Sequence, residues 1–164
     1  MEYLEQLVTE WYEYQGYFVR RGLWVGLESD GSYECVLDVV AFHPIRHHVI
    51  QIEPSLDLLS FDEKERHFQP KFDAGRRYLH RMFGVEPHSH IEQIALIVEA
   101  DSLPHHVIGG GRIVLQADFL VDILQNLSRV DSASAPVPEK WPLIRTLQLV
   151  SDYRERLFKV LKMP

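Results

Sequence analysis

Apolar positions along the chain follow two rhythms. Leu4, Leu7, Val8, Trp11 and Tyr14 recur at helical spacing and Gly16 supplies a stop, which predicts a helix over residues 3–15. From Tyr17 to Leu27 the pattern alternates loosely, as in a strand, and ends in the turn Ser29-Asp30-Gly31-Ser32. Residues 33–43 form a second predicted strand. It is near-continuously apolar from Val36 to Phe42, as expected of a central strand covered on both faces. His43-Pro44 closes it, and residues 48–53 give a third strand that Pro54 is expected to stop.

A long charged helix is predicted over 61–83, with Phe61, Phe68, Phe72, Tyr78, Leu79 and Met82 as its inner face. Pro70 is expected to kink it or divide it in two. Gln93 to Glu99 reads as another buried strand. His105-His106 and Gly109-Gly110-Gly111 form a loop, read as a flexible turn, that leads into a short strand from Arg112 to Gln116. Residues 117–128 read as a helix, Ser132 to Pro138 as a polar linker and 140–162 as a terminal helix, with no internal repeat. This order predicts an α/β or α+β class with a mixed sheet. One domain of 164 residues is expected, its core over about 1–116 and a helical part over about 117–164.

Composition narrows the function classes. Apolar residues make up 46% and charged residues 25%, ordinary for a globular protein, and no apolar run is long enough to span a bilayer. An acidic N-terminus (Met1-Glu2-Tyr3) without an apolar signal core and a lone Cys35 make the cytoplasm the expected compartment. Cys35 has no evident partner base, so a nucleophilic role is not expected. A net charge of −7 argues against a protein that coats nucleic acid broadly. Local basic strips exist nonetheless, at Arg20-Arg21, at Arg46-His47-His48 and at Arg76-Arg77 with His80-Arg81. Each strip taken alone reads as a solvated surface.

The candidate chemistry lies in the second and third strands. Leu37-Asp38-Val39-Val40-Ala41-Phe42 carries a carboxylate inside an apolar strand, and Val49-Ile50-Gln51-Ile52-Glu53-Pro54-Ser55 carries two polar side chains inside the next. A buried carboxylate must be paired or coordinate a metal. Gln51 and Glu53, two apart, share one face of their strand. If the two strands pair as an antiparallel hairpin through Pro44–His47, that face lies beside Asp38. The Ile52 carbonyl would add an oxygen, and Glu5 from the first helix could reach the group.

At these residues the chain resembles the PD-(D/E)xK nuclease superfamily, in particular its archaeal Holliday-junction resolvase and Mrr-like branch. The resemblance runs from Glu5-Gln6-Leu7-Val8 through Gln15-Gly16-Tyr17-Phe18-Val19 to the Asp38 strand and the Gln51–Glu53 strand. It implies a restriction endonuclease-like core, a mixed central sheet flanked by helices, with extra C-terminal helices. It further implies a Mg²⁺- or Mn²⁺-dependent deoxyribonuclease: Asp38 as central metal ligand, Gln51, Ile52 and Glu53 completing the cluster, and Glu5 as an outer ligand. Arg20, Arg21, Arg76, Arg77 or Lys71 would meet phosphate, with DNA as partner and a homodimer as the common assembly. Family members carry Glu, any residue, and Lys in the third strand, and Mrr-like members also tolerate Gln at the first of these positions. Here Gln51 and Glu53 stand there; some members of the superfamily place Glu at the last position, and a Lys could instead come from the following helix, where Lys64 and Lys71 are available.

Other readings of the same residues stay open. Asp38 could pair with Arg20 or Arg21, and Glu53 could end an edge strand facing water. The fold could survive as an inactive scaffold that binds nucleic acid or a protein partner. His43, His47, His48, His67, His88, His90, His105 and His106 raise zinc, but their spacing brings no three or four ligands together, so surface and turn positions are expected.

Overall fold

The computed structural model describes residues 2–86, 91–98 and 106–162. The chain divides into two compact units, Met1–Gln116 and Ala117–Pro164. The first contains α1 (Glu2–Tyr14), β1 (Phe18–Leu27), β2 (Tyr33–His43), β3 (His48–Ser55), α2 (Phe61–Phe83), β4 (Glu92–Ile97), β5 (Val107–Ile108) and β6 (Gly111–Leu115). Its six strands form one mixed sheet in the order β1-β2-β3-β4-β6-β5. β1, β2 and β3 are antiparallel, β3, β4 and β6 parallel, and β5 antiparallel to β6. The class is therefore α+β with a mixed sheet, as the element order predicts.

Local chemistry accounts for the helix ends. Gly16, at φ +90°, turns α1 into β1 while the Tyr17 N–H reaches back to the Tyr12 carbonyl at 3.0 Å. At the start of α2 the Glu63 carboxylate accepts from the Ser60 N–H at 2.9 Å and from its hydroxyl at 2.6 Å. Gly84 closes α2 in the left-handed region.

Helix α2 lies across one face of the sheet. Ala74 and Leu79 pack with Val25, Leu37, Val40 and Val49, whereas Phe68 and Phe72 pack with Ala95, Ile97 and Ile108. Helix α1 covers the other face. Arg21, opposite Val39 in the ladder, meets Glu5 of α1, while the adjacent Asp38 meets Lys71 of α2.

The β1–β2 ladder runs in one register, yet it skips Gly22 opposite Asp38 and Gly26 opposite Glu34. Both glycines have positive φ, +57° and +70°. The two carboxylates at the skipped positions each turn to α2: Asp38 to Lys71, and Glu34 to Arg77 and Tyr78.

Several expectations need correction. Pro54 does not stop the third strand, because β3 runs on to Ser55 paired with β4. On the β2 side the ladder ends at Val39↔Ile52, so Pro54 lies beside a free edge, where a missing N–H is tolerated. Pro70 neither ends nor divides α2, which is one helix of 23 residues. Pro70 is exposed, so water can satisfy the carbonyl it leaves free, while buried Phe68 and Phe72 anchor the turns on either side. Met82 is half exposed and leaves the inner face to Ala74, Gly75 and Leu79. The Gly109-Gly110 turn joins two strands, β5 and β6. Glu99, at the end of the predicted fourth strand, lies outside the described residues.

The second unit is helical: α3 (Gln116–Leu127), α4 (Pro142–Asp152) and α5 (Arg154–Leu161). The predicted terminal helix is thus interrupted at Tyr153, where φ −94° and ψ 12° leave the α-helical region. Gln148 is buried and ties α4 to the preceding linker, accepting from the Val137 N–H at 2.8 Å and donating to the Ala135 carbonyl at 3.2 Å. Among the described residues no helix is long and apolar enough to cross a membrane.

Candidate active site

The β2–β3 hairpin forms through the turn at Pro44–His47, with Val39↔Ile52 and Val40↔Gln51 opposite each other. One step further Asp38 and Glu53 face each other, and there the Asp38 N–H points at the Glu53 carboxylate at 3.3–3.4 Å instead of at a backbone carbonyl. Lys71 descends on the pair from α2. Its Nζ lies 2.6 Å from Asp38 Oδ1 and 2.7 Å from Glu53 Oε2. Of the two helix lysines named from the sequence, Lys71 is the one brought to the carboxylates. Lys64 is itself buried elsewhere on α2.

Glu53 sits at the centre of a hydrogen-bonded run. Its Oε1 accepts from Gln51 Nε2 at 2.7 Å, and the same amide nitrogen donates to the Lys71 carbonyl at 3.1 Å. The Lys71 carbonyl accepts only, which fixes the orientation of the Gln51 amide. Gln51 Oε1 then accepts from Gln93 Nε2 at 2.7 Å, Gln93 also donates to the Phe72 carbonyl at 2.8 Å, and Arg76 donates to Gln93 Oε1. Gly75 makes room for this run. A Cβ there would stand 2.8 Å from Gln51 Cδ and 3.0 Å from Gln93 Nε2.

The electrostatics follow from burial. Glu53 is fully buried, and burial first, then the Asp38 charge, pushes its carboxyl up to about 8, against the opposing pull of Lys71. For Lys71 burial works toward deprotonation, but the attraction of Glu53 and the hydrogen bonds to Asp38 and Glu53 outweigh it, so the ammonium is held above its ordinary value. Asp38, a quarter exposed, is the carboxylate open to water.

The other expected site residues sit differently. Glu5 is not brought into the group; its carboxylate lies 3.8 Å from Arg21, on the α1 side of the sheet. Gln51 presents its N–H to Glu53 and its oxygen to Gln93, so it supports Glu53 and does not offer an oxygen to an ion. Ile52 lies mid-sheet, between Val39 and Ile94. Arg20 is exposed. Arg76 is engaged by Gln93, by Asp73 at 2.6 Å and by the Gly109 carbonyl at 3.4 Å, and Arg77 pairs with Glu34. These two are internal ties.

The described histidines do not converge. Among the described residues no group of three or more His, Cys, Asp or Glu side chains is arranged to hold a metal ion. His43 is buried, a departure from the expected surface role, and its Nδ1 accepts from the Arg46 N–H at 3.2 Å. His48 links Tyr17 Oη at 2.9 Å to Glu92 at 3.3 Å, and Glu92 in turn binds Arg112 at 2.7 Å. His88, His90 and His105 lie outside the described residues. Burial and the nearby Glu53 charge push the Cys35 thiol up, which suits an inert side chain.

Sequence reasoning missed Gln93 and Gly75. Gln93 carries the same signal as Gln51, a polar side chain within an apolar run, and Gly75 is an isolated glycine inside a helical pattern. Asp38 and Glu53 are the two carboxylate donors that an oxygen-seeking divalent ion could use here, and in this structure the Lys71 ammonium lies against both. Comparison with protein-family models, curated proteins and solved structures returns no match.

Proposed function

We propose that Asp38, Glu53 and Lys71 form the centre of a phosphodiester-hydrolysing site of the PD-(D/E)xK type, acting on DNA with Mg²⁺ or Mn²⁺. One observation carries the reading. β3 has no Lys, yet an ammonium from α2 lies within 2.7 Å of both carboxylates. The charge pattern that the family draws from its third strand is thereby assembled from two elements. Asp38 and Glu53 would hold the ion, which when bound polarises phosphoryl oxygen and acidifies water. Lys71 supplies positive charge for the negative charge that develops on phosphorus-bound oxygens. Gln51 holds Glu53 Oε1, and so keeps Oε2 turned toward Lys71 and Asp38.

The test is cleavage of plasmid, single-stranded and branched DNA with Mg²⁺ or Mn²⁺ by wild type, Asp38→Ala and Lys71→Met. Each variant is expected to lose at least about a hundredfold in rate. Cleavage that survives Asp38→Ala ends the reading.

A second reading has an observation of its own. The run from Lys71 through Glu53, Gln51 and Gln93 to Arg76 is satisfied internally, and Gln51 stands where the family usually carries a carboxylate. Such a network can serve as a scaffold for binding nucleic acid or a protein partner. It expects no cleavage with any divalent ion and no rise in Tm on adding Mn²⁺, since an ion that binds the native state must stabilise it.

A further inference from the structure

β2 pairs with β3 only from Val39 to His43, so the rest of the β1–β2 hairpin parts from β3 as a two-stranded arm. Helix α2 covers one side of the arm, through Val25 and Leu37 against Ala74 and Leu79. Aromatic surface remains open on the arm: Trp24 is 59% exposed and Tyr33 46%, their ring centroids 5.6 Å apart. Arg20 and Arg21 lie exposed on the same strand, just before Gly22. Gly22 faces Asp38 across the skipped ladder position, and a Cβ placed on it would meet nothing within 4 Å.

The Arg20 guanidinium, the open approach to Asp38 at Gly22 and the Trp24 ring therefore lie within five residues of β1, with the Tyr33 ring beside Trp24 on β2. We infer that this arm receives a single-stranded stretch of the nucleic acid on which the site acts, a reading that rests on the phosphodiester function proposed above. Bases stack on Trp24 and Tyr33, which tolerates any sequence because every base has a π face. A phosphate meets Arg20, which alternates with Arg21 and so shares the face of Asp38, and the strand passes over Gly22 to Asp38.

Among the surrounding acidic groups, Glu28 and Asp30 stay exposed at the tip of the arm, beyond Trp24. Glu34 is turned to Arg77 and Tyr78, and Asp30 is held by Ser32 in the turn. A second copy of the chain is a poorer occupant. An added strand would need an unbroken edge, and the positive-φ glycines at 22 and 26 interrupt it.

The test uses the full chain with EDTA present, so that cleavage plays no part. Fluorescence anisotropy would follow a labelled short single-stranded oligonucleotide and the matching blunt duplex. Wild type and Asp38→Ala are expected to bind the single strand more tightly than the duplex. Trp24→Ala and Tyr33→Ala are each expected to weaken single-strand binding about tenfold and leave duplex binding unchanged. Because both side chains are exposed, circular dichroism should show the variants folded. Equal single-strand affinity for wild type and the Trp24 variant overturns the inference. So does light scattering that finds wild type dimeric and the Trp24 variant monomeric, which would assign the arm to self-association. Metal-dependent cleavage without Trp24-dependent binding sinks the arm and leaves the function standing. Trp24-dependent binding without cleavage does the reverse.

Discussion

Glu53 concentrates the electrostatic cost of the site. Its carboxyl takes up a proton at about 8 in the folded chain against an ordinary 4.5, because burial and Asp38 together outweigh Lys71. The folded state therefore binds a proton that the unfolded state releases, and this contribution to stability is complete below about 4.5 and lost as pH rises through about 8. Unfolding free energy from urea titrations between pH 5 and 8.5 is expected to fall with pH, at up to about 1.4 kcal/mol per unit for this one proton. Lys71, whose folded value is raised above the ordinary 10.5, has the same sign, but its contribution stays constant until more alkaline pH. Glu53→Gln should flatten the profile; an unchanged slope would place the proton elsewhere. At this scale the sequence was partly legible. Asp38 and Glu53 stand out as carboxylates in strands, and the hairpin turn between them sets their register. Gln51 was misread because the direction of an amide depends on neighbours 20 and 42 residues away, Lys71 and Gln93.

At the scale of elements, α2 is the part that makes the site. Periodicity marks it as a helix, and its bounds follow from Ser60–Glu63 at one end and Gly84 at the other. Which of Lys64 and Lys71 would face the carboxylates was not legible, since that depends on how closely the helix approaches the sheet. Gly75 sets that distance, one turn beyond Lys71. Gly75→Ala is expected to destabilise the chain by about 1–3 kcal/mol through overpacking against Gln51 and Gln93, less about 1 kcal/mol regained from helix propensity. The expected signature is a lower urea midpoint together with lost activity. A stabilised, fully active variant would contradict the packing. Pro70→Ala carries the opposite sign. An exposed proline inside a continuous helix withholds one hydrogen bond, so the alanine variant should gain about 1–3 kcal/mol, read as a higher Tm with an unchanged far-ultraviolet spectrum.

At the scale of the molecule, the sheet is held unequally at its two ends. At one end a line of side chains crosses the strands: Tyr17 to His48, His48 to Glu92, Glu92 to Arg112. At the other, the arm carrying Trp24 and Tyr33 has two strands and a helix on one side. Opening of the native state follows the weakest attachments first. Amide hydrogen exchange along β2 is therefore expected to be graded, fastest near Tyr33 and slowest near Phe42 and His43. Uniform protection along the strand would show that arm and sheet open together. The line of side chains thus acts as a hem: the sheet can loosen at the arm, where a strand of substrate would arrive, while the far ends of β1, β3, β4 and β6 stay in register. A site placed at Asp38, where the firm part meets the loose part, keeps its carboxylates fixed on one side and its approach adjustable on the other.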